Sequence, residues 1–203
     1  MDNFEQTIFL DDDKEDEKDD KEAHGLVNKL LKSRTILACK GVDDKLMTSV
    51  VAQLFVLEQD DPNGLITVIV NSPGGSADSG FAMYDALRFC KCPIRTVVMG
   101  MCASAGVNIF LGGDEDKRFC TPSARFLLHQ PSMRTSGQAS DLEIASREID
   151  RMKESYNQMV SDATGRSLKD IENDVNRDFW LSAEAAVEYG LVTKIINHRG
   201  ELD

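Results

Sequence analysis

The sequence predicts an α/β fold with a mostly parallel sheet, and three observations lead to it. Apolar, β-branched runs of strand length alternate with segments whose apolar residues recur every three to four positions. Glycine-rich turns separate several of these runs from the helical segment that follows. The chain has 203 residues, of which 41% are apolar and 29% are charged, as in an ordinary globular protein. We therefore expect strands and helices to alternate within one domain.

The first half of the chain shows this alternation clearly. The apolar spacing predicts a helix over residues 24–33, a strand over 35–39, a helix over 44–58 and a strand over 65–70, "LITVIV". The last of these is apolar on both faces, which suits a covered central strand. It runs into "NSPGG" (71–75), a strong turn signal, and a helix is predicted over about 77–90.

Residues 96–113 carry no charge and approach the minimum length of a transmembrane helix. Their pattern favours two shorter elements instead. The β-branched run "IRTVVMG" predicts a buried strand that Gly100 breaks, and "SAGVNIFLGG" predicts a short helix that ends at Gly112 and Gly113. We therefore expect a strand, a tight turn carrying Ser104, and a helix.

The second half continues with short strands and longer helices. "RFC" (118–120) and "ARFLLH" (124–129) are predicted strands, and residues 140–164 are predicted to form a long helix closed by Gly165. A smaller helix begins near Ser167. Ser182 is expected to cap the helix "AEAAVEY", which Gly190 ends, and "LVTKII" is the last predicted strand.

Charge divides the chain into two predicted parts. Residues 1–23 hold eleven acidic residues against three lysines, so they contribute −8 of the net charge of −12. We interpret them as an acidic, flexible arm, followed by a single domain over residues 24–203. An acidic surface disfavours binding to nucleic acid and to anionic membranes. The five cysteines show no zinc-site spacing and no secretory signal opens the chain, so reduced thiols and a cytoplasmic location are expected.

Two glycine-rich junctions, "NSPGG" and "GMCASAG", mark the most unusual strand ends, where ligands bind in α/β folds. Ser104 can be a helix cap or a nucleophile, and its spacing differs from the G-x-S-x-G elbow. A serine nucleophile requires a base, and His129, at the end of an apolar strand, is the candidate among three histidines. The residues alone do not select the acid, although Asp178 in "NRDFWLS" is attractive because the following aromatic residues would bury it.

Several segments together resemble the ClpP family, the proteolytic subunit of the Clp protease: "VNSPGGSADSGFAMYDAL", "MGMCASAG", "RFLLHQP", "GQASDLEIASREI" and "NRDFWLSAEAAVEYGLV". They follow the family's order and cover roughly residues 34–197. By position, the resemblance implies Ser104 as nucleophile, His129 as general base and Asp178 as the acid that orients it. Gly75 and Ala105 match the positions whose backbone N–H groups form the oxyanion hole.

The resemblance also implies a fold and an assembly. It implies a ClpP/crotonase-like spiral of β-α units in which residues 140–164 form a protruding handle helix. The expected activity is that of a serine endopeptidase that degrades unfolded proteins to short peptides inside two stacked seven-membered rings. The expected partner is an AAA+ unfoldase that uses ATP, whereas this chain itself requires no cofactor and no metal.

The chain departs from the family in three places. The acidic arm occupies the place of the axial-pore segment, Thr67 and Ile69 replace aromatic residues of the ATPase docking cleft, and Ala105 stands where methionine is common. These differences suggest a divergent subunit that shares a barrel with a ClpP paralogue. Two alternatives remain at this stage: a crotonase-type acyl-CoA enzyme, and a non-catalytic ring subunit.

Overall fold

A computed structural model describes residues 25–26 and 29–202 of the chain. The predicted acidic arm lies outside the described residues, and the division of the chain at residue 24 therefore stays a prediction. Residues 25–26 and 29–32 are helical, in the region of the first predicted helix. The strands are β1 Thr35–Ala38, β2 Ile66–Ser72, β3 Ile94–Ala103, β4 Arg118–Cys120, β5 Arg125–Leu128, β6 Phe179–Ser182 and β7 Lys194–Ile195. The helices are α1 Asp44–Asp60, α2 Ala77–Phe89, α3 Ala105–Leu111, α4 Ala139–Thr164, α5 Leu168–Asp174 and α6 Ala183–Tyr189.

The sheet is mostly parallel, as the sequence predicted. Its main path runs β1-β2-β3-β4-β7 with parallel pairing throughout. Strand β5 pairs in parallel with the end of β3 and antiparallel with β6. Because β2, β3 and β5 are parallel neighbours, their carboxyl ends lie at the same edge of the sheet, where ligands bind in such folds.

Strand β3 does not end at Gly100, so that prediction is wrong. The strand continues to Ala103, and it exchanges one partner for another along its length: residues 96–98 pair with β4, and residues 101–103 pair with β5. Gly100 lies between the two pairings with a φ of 95°, a conformation that glycine adopts without a Cβ penalty. The Asn71 side chain accepts a hydrogen bond from the N–H of Met101 at 3.1 Å and supports this bend. The glycine therefore redirects the strand rather than breaking it.

One hydrophobic core joins the strands of the sheet with buried residues from all six helices α1 to α6. Helix α1 begins at the cap Asp43 and buries Leu46, Val50, Leu54 and Leu57, as its spacing predicted. All seven residues of α3 are buried. The Phe110 ring packs against the Phe126 ring of β5 at a centroid distance of 5.5 Å. Helix α3, and the turn that precedes it, are thus held firmly against the sheet.

Helix α4 is long and only partly packed. Its buried residues begin at Tyr156, whereas Leu142 and Ile144 near its amino end are exposed. Gly165 ends the helix in the left-handed conformation, as expected. Among the described residues, no helix combines the length and the apolar character that a bilayer crossing requires.

Strand β6, "FWLS", was not anticipated from the sequence. It is a four-residue strand that pairs antiparallel with β5, with Leu128 opposite Phe179 and Phe126 opposite Leu181. The predicted last strand shortens to Lys194–Ile195, which pairs with β4. Strand β6 matters because it brings the chain just before it beside the end of β5.

Candidate active site

Four of the five predicted site residues surround one cavity at the carboxyl edge of the sheet. The cavity has a volume of about 290 Å³, and its lining includes Gly75, Ser104, Ala105 and His129. Gly75 follows β2, Ser104 follows β3 and His129 follows β5. Three parallel strand ends therefore converge on a single cavity, as the strand-to-helix junctions predicted.

Ser104 occupies a strained backbone conformation. Its φ is 53° and its ψ is −125°, a region that residues with a Cβ rarely adopt. Its N–H donates to the carbonyl of Leu127 at 2.9 Å, and its own carbonyl accepts from the N–H of Val107 at 2.8 Å. These bonds to β5 and α3 hold the sharp turn that carries the hydroxyl.

The Ser104 side chain does not cap helix α3. A serine at this position ordinarily accepts a hydrogen bond from a backbone N–H two or three residues ahead. Here the hydroxyl makes no hydrogen bond with any described residue and borders the cavity. Of the two interpretations that the sequence allowed, capping is therefore wrong, and the uncommitted hydroxyl at a strained strand-to-helix turn has the geometry of a nucleophile.

The "NSPGG" turn packs directly against this serine. The Ser72 hydroxyl accepts a hydrogen bond from the N–H of Gly74 at 3.1 Å. Val42 stabilises the other side of the turn with two hydrogen bonds. Its N–H donates to the carbonyl of Gly74, and its carbonyl accepts from the N–H of Ser76. A Cβ on Gly74 would lie 2.6 Å from the Cβ of Ser104, so only glycine permits this approach.

The backbone N–H groups of Gly75 and Ala105, two residues that line the cavity, have no acceptor within the described part of the chain. Gly75 has a φ of 151°, and a Cβ there would lie 2.2 Å from the carbonyl oxygen of Val42. Ala105 is the first residue of α3, whose N–H has no partner inside the helix. Both residues line the same cavity as Ser104, and free N–H donors in such a place can stabilise a developing oxyanion.

The pairing of β5 with β6 leaves His129 and Asp178 just beyond the paired ends of these strands. Leu128 lies opposite Phe179 in the last pair of the ladder, and His129 and Asp178 are the next residues along the two segments. Beyond this pair the register shifts, because the N–H of Gln130 donates to the carbonyl of Val175 at 3.2 Å and not to that of Arg177. Within the described residues no hydrogen bond or ion pair joins the His129 and Asp178 side chains, so their partnership stays a prediction.

Asp178 itself is exposed and does not line the cavity. The expectation that the following aromatic residues bury it is wrong. Phe179 packs against Tyr189, with ring centroids 5.3 Å apart, and Trp180 lies under the guanidinium of Arg125 while remaining 48% exposed. Both rings therefore cover other parts of the domain.

Among the described residues, neither the other histidine nor any cysteine lines the cavity. His198 is exposed beside Glu201, and His24 lies outside the described residues. Cys102, two residues before Ser104, is fully buried, and burial raises the pKa of its thiol strongly, as expected for a packing residue. No cluster of His, Cys, Asp or Glu side chains suited to a metal ion occurs over residues 25–26 and 29–202.

The sequence did not single out several side chains that line the cavity. Phe81, Asn108, Met152 and Tyr156 come from α2, α3 and α4. Asn108 carried a signal, because it is a polar residue within the apolar run "AGVNIFL" and lies one helical turn after Ser104. The residues of α4 carried none, since their approach to the cavity depends on how the helix packs.

Comparisons with known proteins agree with this architecture. The family model described as Clp protease matches residues 17–199. The solved structure of a ClpP1 mutant from Listeria monocytogenes is 37% identical in sequence, with a TM-score of 0.82, and the match covers 88% of this chain and 99% of that one. The fold and these two matches place the chain in the class of serine peptidases built on this architecture. The chain belongs to the Clp protease family.

Proposed function

We propose that the protein is a serine endopeptidase subunit whose catalytic residues are Ser104, His129 and Asp178. The observation that carries the proposal is the conformation of Ser104, whose strained turn presents a hydroxyl that caps nothing and borders the cavity. Strain of about 1–3 kcal/mol persists at such a position only where the surrounding structure imposes it, and it is concentrated at functional sites.

The chemistry follows from these positions. His129 takes the proton of Ser104 as the serine oxygen attacks the carbonyl carbon of a peptide bond, and Asp178 orients the imidazole. The N–H groups of Gly75 and Ala105 bind the negative charge that develops on the carbonyl oxygen. The protonated histidine then donates its proton to the leaving amine. Water, deprotonated by the same histidine, hydrolyses the acyl-enzyme and restores the serine.

The proposal extends to the assembly. Exposed apolar side chains on the amino half of α4, among them Leu142 and Ile144, support a role for this helix as the handle between two stacked heptameric rings. Unfolded polypeptides would enter this barrel from an AAA+ unfoldase, which uses ATP, and would leave as short peptides. Thr67 and Ile69 in place of aromatic residues support a divergent subunit that shares its barrel with a ClpP paralogue. Purification as a homo-oligomer that alone supports ATP-dependent degradation would contradict the shared barrel.

Covalent labelling tests the catalytic assignment directly. The full chain is treated with a fluorophosphonate or β-lactone probe, and the adduct is located by mass spectrometry beside a Ser104→Ala variant. We expect an adduct on Ser104 that disappears in the variant. If the chain stays unlabelled, both alone and when co-expressed with a ClpP paralogue, it is the non-catalytic ring subunit and the proposal is wrong.

A further inference from the structure

The cavity at the candidate active site combines apolar walls with two polar groups that each lack a hydrogen-bond partner. Phe81, Ile149 and Met152 contribute apolar surface. Asn108 and Tyr156 also line the cavity, although they are only 2% and 4% exposed. The Oδ1 atom of Asn108 has no hydrogen-bond partner among the described residues, and the Tyr156 hydroxyl, which faces the backbone N–H of His129, has no acceptor for its own proton. Because buried polar groups are nearly always paired, an unpaired acceptor and an unpaired donor at one cavity point to a ligand that pairs with them.

The position of the cavity identifies the part of a substrate that enters it. Ser104, Gly75 and Ala105 line the cavity, and the N–H groups of the two latter residues are free. The residue whose carbonyl is attacked there, called P1, must place its side chain next to these groups. The polar groups of the cavity therefore contact the P1 side chain, as in other serine peptidases where the adjacent pocket sets specificity.

We propose, building on the function proposed above, that Asn108 and Tyr156 form a subsite for a P1 side chain that ends in a carboxamide, and that the preferred residue is glutamine. The glutamine NH₂ group donates a hydrogen bond to Oδ1 of Asn108. The glutamine carbonyl accepts a hydrogen bond from the hydroxyl of Tyr156. One substrate group thus pairs with both orphaned groups at once, while its methylenes contact the apolar walls.

Depth and charge distinguish glutamine from its competitors. Asn108 follows Ser104 by four residues, which is about 6 Å along a helix, so the longer glutamine suits the site better than asparagine. Asp78 is the carboxylate in the lining, and it is exposed, so a P1 glutamate or lysine would be desolvated without a buried counter-charge. Methionine has a similar length but leaves both polar groups unpaired.

The test compares fluorogenic peptide amides that are identical except for glutamine, methionine, glutamate or lysine at P1. With the full chain, we expect kcat/KM for glutamine to exceed that for methionine about tenfold or more. Peptidyl phosphonates with the same P1 residues, followed as labelling rates of Ser104, report the same ratio where turnover is slow. Asn108→Leu should lower the glutamine-to-methionine ratio about tenfold, and Tyr156→Phe about fivefold.

Asn157 provides a matched control variant. It lies on α4, is 1% exposed, and has no partner for either of its amide atoms among the described residues, yet it does not line the cavity. Asn157→Leu makes the same chemical change as Asn108→Leu in an equally buried place. We expect this control to leave the glutamine-to-methionine ratio unchanged.

Each outcome decides the proposal. A wild-type ratio near one or in favour of methionine overturns it, and this measurement suffices even if a variant does not fold. A ratio that Asn108→Leu leaves unchanged, or that Asn157→Leu changes equally, also overturns the subsite while the peptidase assignment stands. A chain that hydrolyses no peptide and accepts no probe on Ser104 contradicts the proposed function, and the subsite with it.

Discussion

Four of the described helices begin at a serine, and two of these serines, Ser182 and Ser104, differ in almost everything else. Ser182 starts α6 with extended backbone angles, and its hydroxyl accepts a hydrogen bond from the N–H of Ala185 at 3.2 Å. Ser104 starts α3 with a φ of 53°, and its hydroxyl caps nothing. The residue type and the position in the element are the same. The difference shows that backbone conformation, and not the presence of a serine, separates a cap from a candidate nucleophile.

The largest expected effect is that of Ser104→Ala on catalysis. Removal of the nucleophile should lower kcat/KM for a peptide substrate by about 10⁶-fold, because the remaining groups cannot form an acyl-enzyme. The free energy of unfolding should stay within about 0.5 kcal/mol of wild type, because no cap hydrogen bond is lost. Peptide hydrolysis and urea unfolding at one protein concentration measure the two quantities. A large loss of stability would mean that Ser104 does cap α3.

Asp178→Asn should have the next largest effect. In the proposed triad Asp178 orients His129, so the amide would no longer hold the imidazole in its working tautomer. We expect kcat/KM to fall about 10³-fold. This is less than the roughly 10⁴-fold loss for a buried carboxylate, because Asp178 is exposed and its field is screened by solvent.

The matched control for this change is Asp174→Asn. Asp174 lies on the same stretch of chain and accepts a hydrogen bond from the Tyr189 hydroxyl at 2.8 Å. The Asp174→Asn substitution should leave kcat/KM within about twofold of wild type and should slightly lower the free energy of unfolding. Equal losses of activity in both variants would assign Asp178 no special role.

Gly75→Ala tests the proposed oxyanion hole through the backbone. The new Cβ would lie 2.2 Å from the carbonyl oxygen of Val42, so the turn must shift and carry its N–H away from the cavity. Loss of one oxyanion donor reduces kcat by about 10²–10³-fold, and we expect a decrease of about 10²-fold. Kinetics with a saturating peptide substrate measure it.

Gly165→Ala is the control for the glycine substitution. Gly165 also has a positive φ, of 70°, but nothing lies within 4 Å of a Cβ built there. This variant should lose about 1 kcal/mol of stability and keep full activity. If the two glycine variants lose activity equally, the effect at Gly75 is general destabilisation and not loss of a donor.

Much of the fold was predictable because its signals are local. The helical spacing of α1, the glycine that closes α4 and the β-branched run of β2 each report on a few neighbouring residues. Strand β6 could not be predicted, because its four residues become a strand only by pairing with β5, more than fifty positions away in the sequence. Gly100 was misread for the same reason, because its role is to let β3 change partners between β4 and β5.

The candidate site divides in the same way. The neighbouring residues alone indicate Ser104 and His129 as candidates, because Ser104 lies in an apolar, glycine-rich turn and His129 ends an apolar strand. The residues alone could not select Asp178, because only the pairing of β6 with β5 brings the end of its segment to the strand that precedes His129. No pattern in the sequence indicates that Tyr156 lines the cavity, because only the packing of α4 brings it there. The resemblance to the ClpP family identified Asp178 as the candidate acid, which the chemistry of the neighbouring residues could not do.

Ser182→Ala makes the opposite change to Ser104→Ala and should have the opposite result. Loss of the hydrogen bond from the N–H of Ala185 should destabilise the protein by about 1 kcal/mol, the usual cost of removing a serine cap. Activity should be unchanged, because Ser182 does not line the cavity. Urea unfolding and peptide hydrolysis on the two alanine variants together complete the comparison. If the Ser182→Ala variant is as stable as wild type, Ser182 does not stabilise α6 as a cap, and the proposed difference between Ser182 and Ser104 is wrong.

The smallest expected effect is the difference in stability between Ser104→Gly and Ser104→Ala. Alanine keeps the Cβ that makes a φ of 53° unfavourable, whereas glycine relieves this strain of about 1–3 kcal/mol. Glycine also adds about 0.4–1 kcal/mol of conformational entropy to the unfolded chain, which opposes the gain. The glycine variant should therefore be more stable than the alanine variant by about 1 kcal/mol, measured by urea unfolding at equal protein concentration. Since neither variant can form an acyl-enzyme, this difference isolates the backbone strain from the chemistry. An alanine variant of equal or greater stability would show that the turn at Ser104 is relaxed, and the main distinction between the two helix starts would then rest on the hydroxyl alone.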